Sequence, residues 1–355
     1  MRRLTFAGWA VIGVVLLVLV FGGVSVTLSR ILPYSQPWAS ALYFIIIAVG
    51  LGIILMPLSY YQGFVVPHRY GLFHETLKVW LADRAKVSAV SLALGLVVVM
   101  IVYWLLDNFP DIWWLWAGVL LFLLSLLLTR LTPTLLISLF FKLEPLGDAE
   151  LQKKLTELAE RARTKVCGVF TMNLSSKSTT ANAMLAGLGQ SRRIILSDTL
   201  LQKYSSDEIE VVLAHELGHH VHRDIPRMIA IQAVIGLLGF YLADMVLIAS
   251  LAPLGLSSPA DAAGLPLLFL FLAVFNLLLS LLTNAYSRYV EKQADVAALE
   301  LSGNPQAFIT AMTRLADQNL TEYQPSRWVE LLFYDHPPYN KRVDLANRYS
   351  KESGH

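Results

Sequence analysis

The hydrophobic and polar positions along this chain fall into four alternating blocks. Residues 1–141 hold only 12 charged side chains, whereas residues 142–224 hold 22 in little more than half the length. Residues 225–285 carry only Arg227, Asp244 and Asp261, and residues 286–355 then carry 17 charges. The pattern predicts membrane, water, membrane, water. A bilayer core needs about 20 residues of helix. Six stretches satisfy it: 6–28, 39–58, 87–106, 113–141, 228–251 and 264–282. The first follows Arg2 and Arg3 like a signal peptide, but its apolar run is too long and no small-residue cleavage site follows, so it reads as an uncleaved anchor. The fourth exceeds one straight crossing and contains Pro133, which predicts a bend before the chain runs on into the charged block.

This pattern divides the chain into 1–141, an N-terminal transmembrane region of four spans; 142–224, the first part of a water-exposed domain; 225–285, two further spans; and 286–355, the second part of that domain. Composition narrows the class. Only 15% of residues are charged, against roughly 25% in soluble domains, which excludes an ordinary soluble protein. A net charge of +2 offers no basic field for nucleic acid. The single cysteine, Cys167, excludes an internal disulfide and a multi-cysteine metal site, and reads as a small core residue.

Loop charges set the expected orientation. Arg2 and Arg3 before the first span, and Arg69, Lys78, Arg84 and Lys86 between the second and third, mark those loops as cytoplasmic by the positive-inside rule. The loop with Asp107 and Asp111 has no Lys or Arg, and is flanked by Tyr103, Trp104, Trp113, Trp114 and Trp116 as an interfacial belt. Both termini and both charged blocks are therefore expected on the cytoplasmic side.

The candidate chemistry lies in the charged blocks. His215-Glu216-Leu217-Gly218-His219 follows a helix start at Ser205-Ser206-Asp207-Glu208, which has capping-box spacing. On a helix, His215 and His219 stand one above the other and can share a zinc ion, while Glu216 can take a proton from the attacking water. A third ligand is needed. The best candidate is Glu291, with Asp295 one turn on, placed to accept from a ligand histidine's other ring nitrogen; the same pair also reads as a solvated acidic face. His219 and Glu291 lie at similar distances in sequence from the fifth and sixth spans. Two antiparallel helices would therefore bring them to one depth, a bend at Pro226 aside.

These motifs resemble those of the type 1 CaaX prenyl protease family, membrane-integral zinc metalloproteases. The likeness extends to Asp335-His336-Pro337-Pro338 with Arg342, to Thr180-Ala181-Asn182-Ala183, and to the loop Tyr70-Gly71-Leu72-Phe73-His74-Glu75-Thr76 with Asp83 and Lys86. It implies a multi-span α-helical membrane protein with a cytoplasmic α+β zincin-like metalloprotease domain. It implies one zinc ion on His215, His219 and Glu291, with Glu216 as catalytic base. It further implies His336 as oxyanion stabiliser, Arg342 holding substrate or the site itself, and an edge strand at Asn182 and Ala183 that pairs with extended substrate. Residues 182–186 and 193–197 read as short strands around a 187–190 turn, which suits that role. The substrates implied are peptides or proteins at the membrane face, with prenylated C-termini as the family's class and the lipid bilayer as the setting. Eukaryotic members have seven spans around a water-filled chamber, one more than predicted here.

Two other readings carry different expectations. A membrane quality-control metalloprotease would share the zinc motifs but lack the Tyr70 loop. A non-catalytic scaffold or transporter with structural zinc would have no use for Glu216. His220 and His222 are expected to face solvent. Asp244 and Arg130 are ionisable groups in apolar stretches with no evident pairing. Leucines at 151, 155 and 158 predict a packed amphipathic helix over 148–165.

Overall fold

The computed structural model describes residues 2–32, 37–131, 141–187 and 192–353. The chain divides into two compact units: residues 1–70, 76–124 and 231–278 form one, and residues 71–75, 125–230 and 279–355 the other.

The first unit is helical. α1 (Arg2–Phe21), α2 (Val24–Ile31) and α3 (Trp38–Tyr60) are followed by a π-turn at Tyr61–Val65 and the short α4 (Val66–Arg69). α5 (Leu77–Asn108) is capped by Thr76, whose side chain accepts from the Val79 amide, and α6 spans Trp113–Leu131. Parts of α10 (Asp224–Leu254) and α11 (Leu265–Ser302) complete it. Among the described residues five helices are long and apolar enough to cross a membrane, and α6 adds a shorter apolar stretch, Trp113–Leu128. The expected bend at Pro133 lies outside the described residues.

The first span ends sooner than its hydropathy predicts. A Cβ on Gly22 would stand 2.5 Å from the Val18 carbonyl oxygen, and Gly23 adopts φ +70, so the glycine pair closes α1 and starts α2. Hydropathy is blind to such a break, because both sides of it are apolar.

Inside this unit the largest side chains, Trp113, Tyr43 and Tyr103, are fully buried, while Val18, Ile53 and Leu278 point outward and are more than half exposed. That inversion suits a surface facing lipid. Its polar groups are tied locally: the Ser25 hydroxyl lies 2.6 Å from the Tyr43 hydroxyl and donates to the Ala263 carbonyl. Asp244 is not unpaired, since its carboxylate accepts from the Trp113 indole at 2.6 Å. The side chain of Arg130 lies outside the described set.

The second unit is α+β. Its sheet has the order β1-β2-β4-β3, with β1 Leu143–Pro145, β2 Val169–Met172, β3 Ala183–Ala186 and β4 Arg193–Ser197. β3 runs antiparallel to β4 with Ala183 opposite Leu196, and β2 runs parallel to β4. β3 is thus an edge strand. β1 and β2 went unforeseen because three or four residues are too few to show alternation.

α7 (Ala149–Arg161) is capped by Asp148 and buries Leu151, Leu155 and Leu158, as the leucine stripe predicts. It stops at Arg161, short of Lys165, because Arg163 turns left-handed at φ +51. Cys167, in the loop that follows, is exposed rather than in the core. α8 (Asp198–Lys203) leads to α9 (Ser206–Val221), where the capping box forms: the Ser205 hydroxyl accepts from the Glu208 amide, and the Glu208 carboxylate accepts from the Ser205 amide. α12 (Pro305–Gln318), α13 (Arg327–Phe333) and α14 (Tyr339–Ser353) follow. Leu155, Leu158, Ile194, Leu196, Leu213 and Phe308 form the dry centre of this unit, each fully buried.

Candidate metal centre

α9 presents His215 and His219 one turn apart, their ring centroids 4.9 Å from each other. α11 presents Glu291 and Asp295 with the same spacing. What brings the two helices together is Gly218, inside the histidine motif. A Cβ there would stand 3.0 Å from the Ala297 Cβ and 3.1 Å from the Ala294 Cα, so any larger residue would push the helices apart. The small residues at the crossing let Glu291 reach both histidines.

The geometry is that of a cation site. Glu291 Oε2 lies 3.2 Å from His215 Nε2, and Glu291 Oε1 lies 3.4 Å from His219 Nε2. Metal–ligand bonds of about 2.0–2.1 Å in a tetrahedron imply ligand–ligand edges of roughly 3.3–3.4 Å, close to the distance at which Glu291 offers one oxygen to each histidine. The other ring nitrogens face carboxylates: His215 Nδ1 is 3.0 Å from Asp295, and His219 Nδ1 is 3.0 Å from Asp224. Those contacts fix both rings with Nδ1 toward a carboxylate and Nε2 toward Glu291, the orientation in which both Nε2 atoms could ligate one cation. Glu291 Oε2 is buried and has no aligned hydrogen-bond donor. His215, His219 and Glu291 are the described histidine and acidic residues whose ligand atoms converge within reach of one ion.

Around this centre the remaining residues fall into place. Arg342 grips Asp295 with two nitrogens, Nε to Oδ2 at 2.9 Å and Nη2 to Oδ1 at 2.5 Å, so it holds the carboxylate that orients His215. His336 is half exposed, with Nε2 3.2 Å from Glu291 Oε2 and Nδ1 2.9 Å from Asp335. Glu216 and His219 line a cleft of about 600 Å³, together with Glu291 and with Leu185 and Gly187 at the end of β3. Asn182 is exposed just before β3, its amide donating to the Ser197 hydroxyl at 2.9 Å. The Ala183 side chain is buried in the core, leaving its backbone on the sheet edge.

Electrostatics follow from these contacts. Burial disfavours the His215 imidazolium, but the facing carboxylates of Asp295 and Glu291 outweigh it and lift its pKa to about 9 without a metal. Burial also raises the Glu216 carboxyl above its ordinary value, tempered by His215 and His219. The hydrogen bond to Asp335 raises His336, which burial opposes.

Three residues were not singled out from sequence. Asp224 lies five positions after His219, beyond the one-turn spacing that marks a helical pair. Gly218 occupies a variable position of the motif. Arg288 is a third: its guanidinium donates to the backbone carbonyls of Glu330 (3.0 Å) and Tyr334 (2.6 Å), fastening α13 and the segment that carries His336. His220 and His222 are half-buried rather than solvent-facing, because the chain turns back just beyond them.

Fold and site together define a membrane-spanning metalloprotease, and comparison with known proteins agrees. Residues 145–349 match Peptidase family M48, and the chain belongs to that family; it is a metalloendopeptidase with several membrane-spanning helices. Residues 4–142 match the CAAX prenyl protease N-terminal family, described as five membrane helices. The sequence predicts four spans there; the described residues hold five helices of eight residues or more, because the glycine pair separates α1 from α2. Among relatives, the uncharacterized metalloprotease YhfN of Bacillus subtilis is 28% identical over 345 residues, spanning 95% of this chain and 81% of its own. CAAX prenyl protease 1 of Saccharomyces cerevisiae is 28% identical over 319 residues, spanning 84% and 70%. The crystal structure of S. mikatae Ste24p superposes with a TM-score of 0.82 at 26% identity, covering 88% of this chain and 77% of that one. Family membership sets aside the reading as a non-catalytic scaffold.

Proposed function

We propose that this protein is a zinc endopeptidase that cleaves extended peptides at the cytoplasmic membrane face, and that prenylated CaaX C-termini are its substrate class. The observation that carries the reading is the convergence of two histidine Nε2 atoms and the Glu291 carboxylate beside a cleft that also holds Glu216. Similarity to proteins named CAAX prenyl protease supports the substrate class. The positive-inside loop charges support the orientation, and the four charge-defined blocks, 1–141, 142–224, 225–285 and 286–355, describe how membrane and protease segments alternate.

His215, His219 and Glu291 would hold the zinc, whose Lewis acidity polarises the scissile carbonyl when it is bound. The chain's own residues do the rest. The free edge of β3, with Asn182 and Ala183, adds the substrate as a further strand through main-chain hydrogen bonds. Glu216 accepts a proton from the attacking water as the new carbon–oxygen bond forms. It returns that proton to the amine nitrogen as the carbon–nitrogen bond breaks. His336, held by Asp335, donates to the oxygen on which negative charge develops. Arg342 keeps Asp295, and through it His215, in position.

The test uses purified full-length protein with prenylated and unprenylated peptides, cleavage positions being read by mass spectrometry. Glu216→Gln is expected to keep its zinc and lose activity by about 10²–10⁴-fold, the range for a general acid–base. Retained activity in a zinc-loaded Glu216→Gln protein would sink the mechanism. Equal cleavage of both peptide sets would remove prenylation from the specificity.

A further inference from the structure

The cleft beside the metal centre contains charge that the hydrolytic mechanism does not use. Arg192, His220 and Arg223 all line it. The carboxylates in the same lining are Glu216, Asp224 and Glu291. Glu291 faces the two histidines and Asp224 contacts His219 through Oδ2, while Glu216 is the proposed base, so none of the three is bound to an arginine. Among the described residues neither arginine has a carboxylate partner. Arg192 is half-buried, and burial without a counter-charge pulls its pKa down. The same guanidinium helps to lower His220, after burial.

The two arginines reach the cleft from different elements. Arg223 occupies the left-handed region at φ +55, in the turn between α9 and α10, with its amide donating to the His220 carbonyl at 3.0 Å. The cleft also contains Leu185 and Gly187 from the end of β3, the strand whose free edge can take a peptide.

We propose that Arg192 and Arg223 form a carboxylate-binding subsite that makes this protease prefer peptides with an acidic group close to the scissile bond. A peptide adding antiparallel to β3 would bring residues on the N-terminal side of the cleaved bond toward Gly187. That is where an Asp or Glu side chain would meet the guanidinium pair. The proposal rests on the protease reading above.

The experiment takes a peptide cleaved by the full-length zinc-loaded protein in detergent. Each position flanking the scissile bond is replaced in turn by Asp, Asn or Lys. Matched peptides with a free or amidated C-terminus separate an α-carboxylate from a side-chain carboxylate as the anion recognised. The readout is the ratio of kcat/KM for Asp over Asn within each enzyme, so general losses of activity cancel. One position should show a ratio of about ten, the scale of one charge-assisted contact, with Lys disfavoured there. Arg192→Gln with Arg223→Asn should bring the ratio to one. Arg192→Glu alone should turn the preference toward Lys, and covers the case in which the Arg223 variant does not fold.

Cleavage with a ratio of one at every position and no effect of C-terminal amidation would overturn the subsite while leaving the protease intact. A preference that survives both arginine substitutions would also overturn it. If activity instead depends on vesicles containing anionic lipid, and that dependence is lost in the double variant, the arginines bind a lipid phosphate and the peptide proposal fails. Absence of any cleavage by the zinc-loaded wild type would defeat the protease reading itself, and the subsite with it.

Discussion

Asp244 in the helical unit and Asp295 in the protease unit are both buried carboxylates, and they are satisfied by opposite means. Asp244 accepts from one neutral group, the Trp113 indole. Asp295 is wholly buried and takes a two-point grip from Arg342 as well as the His215 ring nitrogen. The first arrangement fixes one pair of helices in an apolar setting. The second couples a charge network to His215, a proposed metal ligand, so that disturbing Asp295 should also disturb the site. The polarity of the partners, more than the degree of burial, separates a carboxylate that holds a fold from one that serves a site.

The largest difference between the two should come from deleting the carboxylates' partnerships. Asp295→Ala leaves the Arg342 guanidinium buried without its counter-charge, a loss of about 3–5 kcal/mol in stability. It also weakens zinc binding by about 10–100-fold, the scale for a group that orients a ligand histidine. Chelator competition and thermal denaturation would read both, and wild-type zinc affinity in the variant would break the comparison. Asp224→Ala sharpens it, since Asp224 contacts His219 and should cost affinity with a smaller change in stability.

Acidity should act on the protease unit next most strongly. His215 in the metal-free protein is raised to about 9, so below that pH it carries a proton that zinc must displace. Zinc affinity should therefore climb with pH by about tenfold per unit for this one proton, levelling near pH 9, with proton release on loading. Calorimetry in buffers of different ionisation enthalpy measures that release; a flat affinity between about pH 6 and pH 8 would contradict it.

Arg288→Gln tests whether the hold on the His336 segment matters to catalysis. It removes the donors to the Glu330 and Tyr334 carbonyls and should lower kcat by about 10–100-fold with KM nearly unchanged, the cost of a misplaced group. An equal rise in KM would assign Arg288 to substrate binding instead. The smallest effect on the site should come from the helical unit. Trp113→Phe leaves Asp244 without its donor and should cost about 1–3 kcal/mol in stability. Zinc affinity should not change; a matching loss of zinc would show that the two carboxylates are coupled.

Much of the fold was legible because its signals are local. A bilayer-length apolar run, a leucine stripe on α7 and the Ser205–Glu208 box each concern residues within one helix. The motif residues of the site were legible for the same reason, His215 and His219 on one helix and Glu291 and Asp295 on another. Exceptions arose where a local feature is invisible to hydropathy, as at the Gly22–Gly23 break, or where a segment is too short to show a period, as in β1 and β2. Cys167 was misplaced because its apolar character does not show that it falls in the loop between α7 and β2, where it is exposed.

The amino-acid sequence by itself determined the alternation of apolar and charged blocks, the amphipathic faces, the helix caps and the spacing of the candidate ligands, since each depends on neighbours within a few residues. Only the tertiary structure decided which groups meet. Gly218 touching Ala294 and Ala297, Asp224 reaching His219, Arg342 gripping Asp295 across 47 positions, and Arg192 and Arg223 lining one cleft all depend on how separate elements pack. Packing brings distant residues within a few ångströms through shape and volume, and spacing along the chain carries no record of those distances.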